Sequence, residues 1–130
     1  MKIPFLLLCL ACGAMAAPSA KEQPDAAKPL PPLEKATISI DGHPESVAAD
    51  DQGNIYFTSI GAKLTPTEED KDGYLGVIPY GSTEPKKITD VDTLNAPKGL
   101  LYKDGFLYCT DISMVYKIDA KTGAIEGYVD

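Results

Sequence analysis

One stretch of this chain is written twice. His43-Pro-Glu-Ser-Val-Ala-Ala-Asp-Asp-Gln-Gly-Asn-Ile-Tyr-Phe-Thr-Ser-Ile60 aligns with Ala96-Pro-Lys-Gly-Leu-Leu-Tyr-Lys-Asp-Gly-Phe-Leu-Tyr-Cys-Thr-Asp-Ile112. Pro44 and Pro97 lie 53 apart, while Gly53 and Gly105, Tyr56 and Tyr108, Thr58 and Thr110, and Ile60 and Ile112 lie 52 apart. Further on, Leu75-Gly-Val-Ile78 aligns with Val115-Tyr-Lys-Ile118, and there the offset falls to 40. The first copy therefore carries about twelve additional residues, the difference between 52 and 40, in the stretch from Gly61 to Gly73.

From Ala36 onward the pattern is β throughout, in short runs separated by turn residues, and no window sustains a helical period. The first copy predicts strands over Ser46 to Ala49, Asn54 to Ser59, Tyr74 to Tyr80 and Lys86 to Asp90. The second predicts them over Gly99 to Lys103, Phe106 to Asp111, Met114 to Asp119 and Ala124 to Val129. The intervening turns have fitting chemistry: Asp50-Asp-Gln-Gly53, Gly81-Ser-Thr-Glu-Pro85, Lys103-Asp-Gly105 and Asp119-Ala-Lys-Thr-Gly123. Four short strands in a unit of about 40 residues make a propeller blade. The expected fold is all-β, a partial β-propeller of two four-stranded antiparallel blades, at about 43–91 with the insertion 61–73, and about 96–130. Thr37-Ile-Ser-Ile40 alternates and is expected as an outer strand completing a ring.

The opening segment has a different job. Met1-Lys2-Ile3-Pro4 precedes the apolar run Phe5 to Leu10 and the small residues Ala14-Met15-Ala16-Ala17, which predicts a secretory signal peptide over 1–16. The apolar run is far shorter than the roughly 20 residues that cross a bilayer, and no later stretch approaches that length. A lipoprotein signal anchored through Cys12 competes, but Cys9 stands where such signals usually carry leucine. Secretion or periplasmic residence is the expectation. Cleavage would remove Cys9 and Cys12 and leave Cys109 without an internal disulfide partner. Cys109 lies among strand-forming residues and the sole histidine is His43, so an inert buried thiol is expected there rather than a nucleophile. Residues 17–35 hold Pro18, Pro24, Pro29, Pro31 and Pro32 among alanines, lysines and acids, a composition that predicts a disordered tether.

Charge narrows the partners. The chain has 12 basic residues, all lysines, against 19 acids, for a net charge of -7. Without arginine it lacks the bidentate forks that read guanine edges and clamp phosphates, and nucleic acid is not an expected partner.

Pro-Glu-Ser-Val-x-x-Asp-x-x-Gly-Asn-Ile-Tyr from Pro44 to Tyr56, Ala-Pro-Lys-Gly-Leu from Ala96 to Leu100, and Asp-x-x-Thr-Gly from Asp119 to Gly123 together resemble the senescence marker protein and gluconolactonase superfamily of six-bladed propellers. NHL-repeat propellers are similar as well. The resemblance covers Ala36 to Asp130, about two blades of six. It implies either a fragment of a longer polypeptide or copies that associate to close a ring; the end at Gly127-Tyr-Val-Asp130, directly after a strand, favours the fragment. The resemblance further implies a divalent metal, usually calcium, held by a glutamate at the opening of the first blade and by an asparagine and an aspartate from later blades. That metal would polarise a lactone or ester carbonyl. Glu45 is the position matching the glutamate, although Pro44 precedes it and Val47-Ala48-Ala49 follow; the other ligands would lie beyond Asp130.

In an up-and-down blade the start of the first strand and the end of the second share one rim. Glu45, Ser59, Lys98 and Asp111 are expected on that rim with the insertion 61–73, and there a small-molecule or protein ligand would bind. Lys98 takes the place of Glu45 in the second copy, where it would steer an anionic substrate, pair with Glu45 or simply be solvated. The insertion contains Glu68-Glu-Asp-Lys-Asp-Gly73, but an EF-hand loop starting at Glu68 would need a bidentate glutamate where Pro79 stands. A solvated acidic loop is expected instead, and His43 is expected as a turn residue rather than a ligand. Three functions remain: part of a calcium-dependent lactonase or esterase, a noncatalytic propeller module binding a partner at its rim, or a truncated product without activity of its own.

Overall fold

The computed structural model describes residues 35–89 and 92–130. The expected signal peptide over 1–16, Cys9, Cys12 and all of the tether but Lys35 lie outside the described residues, as do Asp90 and Val91. The described chain is all-β, without a helix, and forms two four-stranded antiparallel sheets. The first holds β1 (Pro44–Ala49), β2 (Ile55–Ser59), β3 (Tyr74–Ile78) and β4 (Lys86–Lys87). The second holds β5 (Leu100–Lys103), β6 (Phe106–Asp111), β7 (Met114–Asp119) and β8 (Ile125–Val129). In each sheet the spatial order follows the chain order, so every strand pairs with its sequence neighbour.

The turns explain why the strands stop where they do. Asp104 and Gly105 both have positive φ, 50° and 85°, the pairing that matches a two-residue hairpin loop to the twist of its strands. At Asp50 the carboxylate accepts the N–H groups of Gln52 and Asn54, each at 2.9 Å, closing the β1–β2 turn. Asp119 does the same before β8, accepting the N–H of Lys121 at 3.0 Å and of Thr122 at 2.7 Å. β6 and β7 are joined by Ile112 and Ser113 alone, whereas β2 and β3 are joined by residues 60–73.

Two expected elements differ. β4 is two residues rather than five, because pairing along β3 passes from backbone to side chain: the Ile88 N–H reaches the Leu75 carbonyl at 2.9 Å, and the Leu75 N–H then turns to the Thr89 hydroxyl at 3.0 Å. Residues 37–40 form no strand. Their alternation is used for packing instead, with Ile38 and Ile40 set against Phe57, Tyr74 and Ile78 on the outer face of the first sheet.

The main core lies between the sheets. Tyr56 and Leu75 from the first meet Leu107, Cys109 and Ile118 from the second, with Leu94 and Ala120 from connecting segments. Leu75, Leu94, Leu107 and Ile118 are fully buried, and each such aliphatic side chain contributes about 1.5–3 kcal/mol. Tyr56 and Tyr102 stack across the gap with ring centroids 5.8 Å apart and planes 3° from parallel. At the outer end of the interface Gly123, at φ 75°, lies directly on the Ile88 carbonyl; a Cβ there would occupy the space of that oxygen.

Register assigns side chains to faces. Tyr56 is opposite Val77 and Thr58 opposite Leu75, so these four share the face turned to the second sheet. In the second sheet Tyr108 is opposite Lys117 and Thr110 opposite Val115. By the repeat offsets of 52 and 40 these are the corresponding four positions, and they lie on the face turned away from the first sheet.

Candidate functional site

The starts of β1 and β5 and the ends of β2 and β6 lie at one edge of the two sheets, beside the loop 60–73 and the segment 94–99. Ser59 and Asp111 close their strands at equivalent repeat positions, and both are turned inward. Ser59 is fully buried; its hydroxyl accepts the N–H of His43 at 3.2 Å and of Gly61 at 3.4 Å and donates to the Asp41 carbonyl at 3.3 Å. Asp111 is 5% exposed, and its carboxylate accepts three backbone N–H groups: Asn95 at 2.8 Å, Ala96 at 2.7 Å and Ile112 at 2.9 Å. Each residue thus holds the segment that enters its own sheet.

Lys98 has a third fixing role. Its ammonium donates to the Pro66 carbonyl at 2.6 Å and the Ala96 carbonyl at 3.3 Å, which ties the 60–73 loop to the entrance of the second sheet rather than reaching Glu45. Gly73 and Leu94 pair as an isolated antiparallel bridge and tether the other end of that loop. Glu45 is exposed, and its carboxylate makes no hydrogen bond or ion pair among the described residues. Among the described residues no three His, Cys, Asp or Glu side chains converge as a metal-holding group.

The loop itself is built around Asp72. One of its oxygens accepts the Ala62 N–H at 3.0 Å, while the other is buried without a hydrogen-bond partner. Gly61, at φ 113°, lies against that carboxylate with no room for a Cβ. Next to it is a cleft of about 430 Å³ lined by Asp41, Gly42, Gly61, Ala62, Asp72, Tyr74 and Lys87. The Tyr74 hydroxyl donates to the Asp41 carbonyl, and the Lys87 ammonium stands 4.1 Å from the Tyr74 ring centroid, a cation–π contact that holds a positive charge over an aromatic wall. Both signs of charge and an aromatic face therefore meet in one concave place. No covalent chemistry follows from the serine: its proton is directed to a carbonyl, and the His43 imidazole faces the Gly61 carbonyl at 3.1 Å instead of the hydroxyl. Cys109 is fully buried with its thiol pushed up to about 12, first by burial and then by the Asp111 charge, which keeps it in the unreactive protonated form.

No protein-family model, curated protein or solved structure matches this chain. The structure brings Ser59, Lys98 and Asp111 to one edge as fixing groups and leaves Glu45 solvated beside them. Of the residues that line the cleft, Asp72 belongs to the acidic run of the insertion 61–73 that was expected at the rim, whereas Asp41, Tyr74 and Lys87 had no separate signal in the sequence.

Proposed function

We propose that this chain is a pair of successive propeller blades acting as an exported, noncatalytic binding module, with its ligand surface at the strand-entry edge and the adjoining cleft. One observation carries this reading: Ser59, Lys98 and Asp111 direct their polar groups to the backbone of the edge itself. Such groups shape a surface in advance and leave recognition to what lines it, here Asp41, Asp72, Tyr74 and Lys87. The matching contacts of Ser59 and Asp111 at equivalent positions support the blade assignment, and the signal-like segment supports a secreted or periplasmic setting. The mixed charge and the aromatic wall favour a small polar molecule or a short peptide segment.

The test is a screen of polar small molecules and short peptides by backbone amide NMR shifts, with chelator present. Shifts at 41–43, 61–73 and 87 that are lost in Lys87→Ala support the module; an edge that responds to no compound removes the reading. A second reading keeps the lactonase kinship, because Glu45 holds a carboxylate free to ligate. Calcium would then raise the melting temperature, and Glu45→Ala would abolish that gain. A melting temperature indifferent to calcium would sink it.

A further inference from the structure

We infer that the cleft at the opposite edge of the two sheets is a second binding site, shaped for one neutral sugar ring. It lies where the β1–β2 turn, the Asp104-Gly105 hairpin and the β7–β8 turn meet, at the far end of the strands from Ser59 and Asp111. Its residues are not those of the strand-entry cleft, and it stands whatever that edge binds.

Both sheets build this cleft. Asp50, Gln52, Asn54 and Tyr56 come from the first and Tyr102 and Lys121 from the second, around a volume of about 380 Å³. Small-molecule sites run from roughly 300 to 1,000 Å³, so the space suits a compact ligand. The stacked rings of Tyr56 and Tyr102 give it an apolar wall.

Its polar groups fall into two sets, and the first holds the walls in place. The Asp50 carboxylate accepts the N–H groups of Gln52 and Asn54 at 2.9 Å each, the Asn54 side-chain amide at 2.8 Å and the Tyr56 hydroxyl at 3.2 Å. The Asn54 amide oxygen in turn accepts the Tyr80 N–H at 3.0 Å. On the other side the Ala120 N–H donates to the Gly105 carbonyl at 3.0 Å and joins the two turns of the second sheet. Walls fixed in this way need little further ordering when a ligand arrives, which lowers the cost of binding. The second set is idle: the Gln52 amide, the Tyr102 hydroxyl and the Lys121 ammonium line the cleft and make no hydrogen bond or ion pair among the described residues.

The idle groups decide the chemistry of the ligand. All three donate hydrogen bonds, and only the amide and the hydroxyl also accept them, so the ligand must bring several oxygen acceptors. It must also be neutral. The Asp50 and Asp119 charges both bear on the Tyr56 phenol and would oppose an anion at this place, while Lys121 would oppose a cation and Asp50, already holding its donors, has no lone pair left for one. The apolar wall asks for a ligand with a face free of polar groups. A pyranose meets all of these conditions, since its C–H faces can lie on the tyrosine wall while its rim of hydroxyls reaches amide, phenol and ammonium.

The experiment follows backbone amide NMR shifts of the full chain during titration with the methyl glycosides of glucose, galactose, mannose and N-acetylglucosamine, with sodium benzoate as the anionic comparison. A ligand of about a dozen heavy atoms at ordinary efficiency binds with a Kd of about 1–10 mM, so each compound is taken to about 100 mM. At least one glycoside should give saturating shifts at 50–54, 102–105 and 119–122. Gln52→Ala and Tyr102→Phe should each weaken that Kd about 2–10-fold, the share of one hydrogen bond. Gln52 is exposed and phenylalanine keeps the stacked ring, so both variants should melt as the parent does by circular dichroism. Lys87→Ala, in the other cleft, should leave the Kd unchanged. Shifts that rise without saturation overturn the inference, as do glycoside shifts confined to 41–43 and 61–73. So does benzoate saturating these amides where no glycoside does, and so do variants that both bind as the parent does.

Discussion

Replacing Asp111 by alanine should be the most damaging single change at the strand-entry edge. Its carboxylate accepts N–H groups from Asn95, Ala96 and Ile112 at 2.7–2.9 Å, and alanine leaves all three without that acceptor. A buried unsatisfied donor costs about 1–3 kcal/mol. The Ala96 bond is buried and takes a middle value near 2 kcal/mol, whereas the other two are partly open to water and take about half each. Removing the buried carboxylate also removes its own desolvation cost and gives back part of this, so the net loss is about 3 kcal/mol. Asp111→Asn keeps one oxygen for two of the donors and sets an amide nitrogen against the third, for a loss of about 1–2 kcal/mol. Ser59→Ala removes longer bonds of 3.2–3.4 Å and should cost about 1 kcal/mol. Urea unfolding of the full chain, followed by far-ultraviolet circular dichroism, should rank the variants in that order at constant slope. A domain of this size holds about 5–10 kcal/mol in total, so Asp111→Ala should remain folded but melt more than about 10 °C lower. An Asp111→Ala protein within about 1 kcal/mol of the parent, or no weaker than Ser59→Ala, would refute the assignment of the carboxylate as the clasp of segment 94–96.

Other substitutions report on different parts of the molecule. Gly123→Ala meets both a positive φ of 75° and the Ile88 carbonyl, and should cost more than about 2 kcal/mol in the same urea experiment; a near-neutral result would mean that the Ile88 carbonyl does not lie on the β7–β8 turn. Lys98→Met should leave the circular dichroism spectrum unchanged while amide exchange in 62–72 accelerates severalfold, since the Pro66 carbonyl loses its ammonium; unchanged exchange would show that the loop is held elsewhere. The Tyr56 phenol is pushed up to about 12 by burial and then by the Asp50 carboxylate that accepts its hydrogen bond. Its folded value exceeds its unfolded value near 10, so this stabilisation is complete below pH 10 and is lost as pH rises through about 12. Absorbance titration at about 295 nm should show a late component that Tyr56→Phe reduces, burial raising Tyr74 and Tyr116 as well, and a parent in which all 7 tyrosines titrate together near pH 10 would contradict it.

The strands were legible because each needs only local alternation and a turn residue, and the repeat wrote those signals twice. β6 and β7 match their expected bounds, and the hairpin at Asp104-Gly105 follows from two residues that tolerate positive φ. Residues 37–40 carry the same alternation as a strand but pair with no strand among the described residues, and sequence alone does not tell a paired extended segment from a packed one. The edge residues were legible by position and not by role. Ser59, Asp111 and Lys98 bind backbone N–H and carbonyl groups, which every residue has, so their partners leave no mark in the sequence. The cleft was hidden for a related reason. Asp41, Asp72 and Lys87 come together only because the 60–73 loop folds back over the entry segment.

The hydroxyl of Thr58 grips a neighbouring main-chain oxygen, and this has a consequence for how such a chain can change over generations. The acceptor belongs to Lys98, but the contact ignores the lysine side chain altogether. That contact therefore survives whatever residue comes to occupy position 98. The corresponding position of the first copy has glutamate and this one lysine, opposite charges on the same frame. Substitution at this place can reverse the outward charge without touching the bond that joins the two sheets.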